Sequence, residues 1–101
     1  MEIYSRNKIK IRLSGERLNH ILSNHPEMVE FVLDLPKVIE NPDIIFEGEN
    51  KEYIAVKSRN SFHLVVVYRE ASKEDGFVIT AFKTRSIQYL LKRKIIWKKT
   101  L

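Results

Sequence analysis

The chain has 101 residues, 44% hydrophobic and 31% charged, with no cysteine and a formal net charge of +5. This length suits one domain, 1–101, built on one modest core, and the missing cysteines exclude disulfides, thiolate metal sites and a cysteine nucleophile. No apolar run approaches the roughly 18 residues of a membrane-spanning helix, and the start, Met1-Glu-Ile-Tyr-Ser-Arg, lacks the apolar stretch of a secretory signal, so a cytoplasmic protein is expected.

Residues 8–13 (Lys-Ile-Lys-Ile-Arg-Leu) alternate strictly, the pattern of a short half-buried strand. Ser14 then caps a helix that has Glu16 in its first turn and Leu18, Ile21 and Leu22 as its apolar stripe. Pro26 ends it, because the residue before a proline is pushed out of the helical region. A second helix is expected with Met28, Val29, Val32 and Leu33 buried, then a short helical turn from Leu35 to Glu40, stopped by Asn41-Pro42-Asp43.

Four runs rich in β-branched and aromatic residues follow, at 44–47, 52–57, 62–69 and 77–82. The polar links between them are too short for parallel crossovers, so an antiparallel meander is predicted. The near-continuous apolar run 64–68 marks a central strand covered on both faces. Alternation in the last run puts Val78, Thr80 and Phe82 on one face, opposite Ile79 and Ala81. From Thr84 onward, Ile87, Leu90, Leu91 and Ile95 recur at helical spacing, although Ile95-Ile-Trp-Lys-Lys is also β-prone and allows an edge strand. The expected fold class is α+β: N-terminal helices packed on a four-stranded antiparallel sheet, with a C-terminal basic helix.

Charge is unevenly distributed. Residues 26–52 hold two basic and eight acidic side chains, whereas 77–101 hold seven basic and none acidic. Such a basic segment suits a polyanionic partner, and a solvated helix face is the plainer alternative. The Lys-rich segment and its complementary acidic stretch leave both monomer and homodimer open.

Metal-free RNA cleavage requires a general base for the ribose 2′-OH, a general acid for the departing 5′-oxygen, and positive charge on the phosphorane. Histidine suits the proton transfers. His25 stands where the first helix must end, at the negative end of its dipole; His20 lies one turn after Glu16 and within its reach. His63, beginning a strand beside a turn, is expected to be a surface residue. Thr80 and Thr84 bring hydroxyls to the last strand of the sheet, and Arg69 offers a guanidinium. Lys57, Arg59, Lys83, Arg85, Lys92 and Arg93 are the candidate nucleic-acid contacts, with Tyr53 and Tyr68 as stacking surfaces. His20 and His25 are about 140° apart around a helix, which is wrong for a zinc pair. No metal and no cofactor are expected, and only three glycines argue against a nucleotide cradle.

Four segments together resemble a known group: Glu16-Arg-Leu-Asn-His20-Ile-Leu-Ser-Asn-His25-Pro26-Glu27, Glu40-Asn-Pro42-Asp43-Ile-Ile, Leu64-Val-Val-Val, and Val78-Ile-Thr80-Ala-Phe82-Lys-Thr84. Over about residues 14–86 the chain resembles phage- and toxin-associated domains of the barnase/EndoU/colicin/RelE-like nuclease superfamily. The resemblance implies a metal-independent endoribonuclease, a toxin or mobile-element effector, with helices before a four-stranded antiparallel sheet. It implies RNA as substrate and an antitoxin or inhibitor protein as a further partner. By position it carries over a histidine to His25, with His20 also matching, and hydroxyls to Thr80 and Thr84. The aromatic after Thr-Ala is commonly tyrosine in such domains, and this chain has Phe82. Some members only bind, so a non-catalytic RNA- or protein-binding module is the alternative.

Overall fold

A computed structural model describes residues 2–100. Two short strands, β1 (Ile3–Tyr4) and β2 (Lys10–Arg12), precede helix α1 (Gly15–Asn24). A 3₁₀ segment (Pro26–Asp34) runs directly into α2 (Leu35–Glu40). Four longer strands follow, β3 (Ile44–Glu47), β4 (Tyr53–Ser58), β5 (His63–Glu70) and β6 (Gly76–Thr84), then a 3₁₀ turn (Gln88–Leu90) and β7 (Ile95–Lys98).

All seven strands join one sheet in the order β1-β2-β6-β5-β4-β3-β7. The β2–β6 pair is parallel and the other pairs are antiparallel. This corrects the expected fold class. The four predicted runs supply β3 to β6, but the sheet is a mixed, curled, seven-stranded half-barrel, and only 28% of the chain is helical. The reason lies at the two ends of the chain. Ile11 alternates with exposed Lys10 and Arg12 and is 1% exposed, which needs a sheet neighbour. It finds one at Gly76, where a Cβ would collide with the Arg69 carbonyl and sit 2.7 Å from Ile11 Cδ1. The Arg12 guanidinium clamps Asp75 at 2.8 and 2.9 Å, and that bond holds the Asp75 carboxyl below the usual carboxylate range.

The C-terminal basic helix is also corrected. Ile95–Lys98 pairs with β3 as an edge strand, in keeping with the β-branched Ile95 and Ile96. Ile87 and Leu90 turn inward because their segment crosses the sheet and packs on Phe46, Ile54, Val56 and Val65. Leu91, part of the expected stripe, is 62% exposed.

Helix α1 begins as predicted from Ser14, whose Oγ accepts a hydrogen bond from the Arg17 amide at 3.0 Å. The second helix is a correction. Pro26–Asp34 is 3₁₀, with three residues per turn, so i and i+3 eclipse. Met28 is fully buried and Phe31 packs against the core, whereas Val29 and Leu33 are 64% and 78% exposed.

The helices cover one face of the sheet, where Ile21, Met28, Leu35, Val38 and Ile39 meet Leu64, Val66, Tyr68, Val78 and Ala81. The opposite, outer face carries Val65, Val67 and Phe82 under Ile87 and Leu90. A register shift opposite Val67 and Tyr68 pairs Val67 with Thr80 and Tyr68 with Val78, leaving Ile79 as the extra residue. The bulge overturns the expected shared face: Val78 is buried under the helices with Ala81, while Thr80 and Phe82 lie on the outer face with Val67 and Val65.

Lys51, in the β3–β4 turn, has φ of 64°, a left-handed conformation that strains any residue with a Cβ. Lys51→Gly is expected to stabilise the protein by about 0.5–1 kcal/mol, read as a higher midpoint in urea unfolding with an unchanged slope.

Candidate functional site

β2 covers only the start of β6, pairing with Gly76 and Phe77. Beyond that point the edge of β6 has no strand beside it, and α1 lies there instead. Arg17 Nη1 donates to the Ile79 carbonyl at 3.3 Å. At the other end of the helix, the His25 ring sits 5.8 Å from the Phe82 ring, centroid to centroid. The surface between α1 and the free edge of β6, bounded by these two contacts, is the candidate cleft.

His25 caps the C-terminus of α1, its amide bonded to the Ile21 carbonyl at 2.7 Å. Its side chain is 35% exposed, and Nδ1 lies 3.6 Å from Glu27 Oε2. The carboxylate lies near the ring on that side, beyond hydrogen-bond distance, and Nε2 has no hydrogen-bond partner among the described residues. Phe82 shares the outer face with Thr80 and Thr84, two residues away in each direction, so each hydroxyl is about 7 Å along the strand from the ring that touches His25. The Thr80 hydroxyl makes no hydrogen bond among the described residues, whereas Thr84 Oγ1 donates to the Ser86 carbonyl at 2.9 Å. His25 thus contacts Phe82, and Thr80 and Thr84 lie on the same face of the strand to either side of that contact.

His20 is on the same helix, exposed, beside an open groove of about 580 Å³ that it lines with Ser14, Glu16 and Arg17. Its Nε2 lies 3.2 Å from the Asn24 amide rather than on Glu16, the expected partner. His63, half-buried rather than at the surface, pairs across β5–β6 with Thr84, and its Nδ1 is 2.8 Å from Ser58 Oγ.

Arg69 is not brought to this cleft. It lies at the far end of β5, and its Nη1 donates to the Asn50 carbonyl at 3.1 Å, on the side of β5 away from β6. Arg93 pairs with Glu49 at 3.6 Å near the same turn, so it and neighbouring Lys92 belong to that opposite end. Lys57, Arg59, Lys83 and Arg85 gather instead at the end where β6 finishes. Lys57 donates to the Asn41 carbonyl at 2.8 Å, Arg59 pairs with Asp34 at 3.0 Å, and Lys83 lies over Phe62 and Phe31. Arg85 is exposed beside Ser61, Phe62 and Lys83. Tyr68 is no stacking platform: it is 1% exposed and stacks on Tyr53 at 5.3 Å. Burial, then the nearby Glu70 and Tyr53, push its hydroxyl well above the usual tyrosine value.

Arg17 and Glu27 escaped sequence reasoning as site residues. Glu27 follows His25 by two residues, and Arg17 stands three before His20, so both spacings were visible; that Arg17 would reach β6 was not. Among the described residues no three His, Asp or Glu side chains converge as a metal site needs. No described helix is long and apolar enough to cross a membrane. No family model matches the chain, and neither a curated protein nor a solved structure matches it.

Proposed function

We propose that the protein is a metal-independent endoribonuclease that cuts RNA by general acid–base catalysis in the cleft between α1 and β6. One observation carries the reading: the His25 ring packs on Phe82, the residue flanked on its own face by Thr80 and Thr84. In the proposed reaction Nε2 of His25, with the Glu27 carboxylate near Nδ1 to favour the imidazolium that forms, takes the proton of a ribose 2′-OH. The 2′-oxygen attacks phosphorus, a phosphorane forms, and the bond to the 5′-oxygen breaks as that oxygen takes a proton from the His25 imidazolium directly or through a solvent water, which returns the ring to its starting form. The products are a 2′,3′-cyclic phosphate and a 5′-hydroxyl. Hydroxyl donation from Thr80 stabilises a phosphorane oxygen, whereas the Thr84 proton is already given to the Ser86 carbonyl, and the exposed guanidinium of Arg85, next to Thr84, supplies charge. Arg69 has no part in this scheme as it stands, since it is turned to the opposite end of the sheet.

The test is incubation of the protein with end-labelled single-stranded RNA in EDTA. Cleavage is expected, with cyclic phosphate termini, and none where the 2′-OH is replaced by hydrogen. RNA that stays intact at high protein concentration rejects the reading. A role as a toxin in the cytoplasm, held by an antitoxin or inhibitor, belongs to the same proposal and rests on the sequence resemblance.

A second reading, a module that binds RNA or protein without turnover, is favoured by the cations. Arg59, Arg69 and Arg93 are each already held by a protein oxygen, which suits a docking surface better than a reacting phosphate. Salt-dependent RNA binding without cleavage is its signature.

A further inference from the structure

The end of the sheet where β6 finishes continues sideways past β5, β4 and β3 to β7, the strand order across that rim. At its far side Lys57 and Lys99 face one groove of about 280 Å³ beside Trp97, which the Arg6 side chain also lines and no acidic side chain does. Neutral groups hold two of these cations. The Arg6 guanidinium lies 4.4 Å over the Trp97 ring, and the Lys57 ammonium donates to the Asn41 carbonyl. Lys99 approaches an acid only at 3.9 Å, Asp43. Three like charges around one groove repel one another, and an entering anion relieves that repulsion.

We propose that this groove is a phosphate subsite for single-stranded RNA lying along the rim, from Lys83 and Arg85 beside the cleft to Lys57 and Lys99, with the Arg6 side chain reaching the groove from the turn between β1 and β2. The inference rests on RNA as the ligand class proposed above, but it concerns binding and not cleavage. Four strand spacings separate β6 from β7, about 19 Å, so a bound strand of several nucleotides spans the two. Because Arg6 occupies the open face of Trp97, the groove holds backbone phosphate rather than a stacked base. Its contribution to affinity is therefore indifferent to sequence.

Trp97 is the chain's single tryptophan, so its emission reports on this groove directly. The experiment titrates the full chain with short 2′-O-methyl RNA, which has no free 2′-OH to attack, and separately with inorganic phosphate. The expected result is a saturable change in Trp97 emission with RNA, the same for unrelated sequences. Lys57→Ala/Lys99→Ala is expected to weaken binding about tenfold and to lower the slope against log salt by about 1.4. Arg6→Ala, on an exposed turn and so least able to disturb the fold, weakens it in the same direction. Lys73→Ala, in the loop before β6 at the opposite end, leaves it unchanged. Phosphate is expected to compete with RNA for the emission change. RNA binding that leaves Trp97 emission unaltered, or that ignores both groove variants, overturns the proposal without touching the cleft. A response to phosphate but none to RNA also overturns it. Groove binding by a protein that never cuts RNA retains it and removes the catalytic reading.

Discussion

His25→Ala is expected to lower the rate of RNA cleavage by about 10²–10⁴-fold, the usual contribution of a positioned proton-transfer group. The chain should stay folded, because the ring is partly exposed and its removal loses one tilted contact with Phe82 and one exposed approach to Glu27. Substitutions of that kind change stability by about 0.5 kcal/mol or less. The measurement pairs a melting curve with single-turnover cleavage in EDTA. A loss of activity with an unchanged melting temperature identifies a chemical role; cleavage equal to wild type excludes His25 as acid or base. Thr80→Val removes the hydroxyl that lies two residues from Phe82 on the same face and makes no hydrogen bond among the described residues, and it is expected to lower kcat with little effect on KM, since the phosphorane needs that donor more than the ground state does.

Phe46→Ala is expected to give the largest loss of stability, about 3–5 kcal/mol. Phe46 is fully buried on the outer face, where it packs with Ile54, Val56 and Val65 under Leu90 and Ile87. Truncation leaves an apolar hole and loosens the segment that crosses that face. For a chain of this size each kcal/mol moves the melting temperature by roughly 4–8 °C, so a fall of at least about 12 °C follows. Leu91→Ala, one residue beyond Leu90 but 62% exposed, should move it hardly at all. A Phe46→Ala protein that melts like wild type would mean that the outer-face cluster contributes nothing to stability.

Local chemistry was legible in the chain; pairings between distant segments were not. Ser14 and Pro26 marked both ends of α1 because capping and proline sterics act within a few residues. The four β-branched runs marked β3 to β6. The two residues of β1 are too few to show a period, and the parallel seating of β2 against Gly76 depends on a close approach that Ile11 alone does not announce. Spacing misled twice for physical reasons. In Pro26–Asp34 the backbone winds at three residues per turn, so the residues read at helical period include two exposed ones. In 87–95 an inward Ile87 and Leu90 imitate a helix stripe while the chain crosses a sheet. At the site, alternation placed Thr80 and Phe82 together correctly, but the extra Ile79 moved Val78 to the other face. Arg69 was read as a partner from its residue type; only the Asn50 contact shows which way it turns.

The lone parallel contact also governs when the cleft exists at all. Ile11 seats against Gly76 and α1 against the strand that follows, so a nascent chain on the ribosome carries its imidazoles long before their counterpart is made. Ring and threonine meet only after translation has passed Thr84. On the proposed reading, the site would therefore stay incomplete through most of the chain's synthesis.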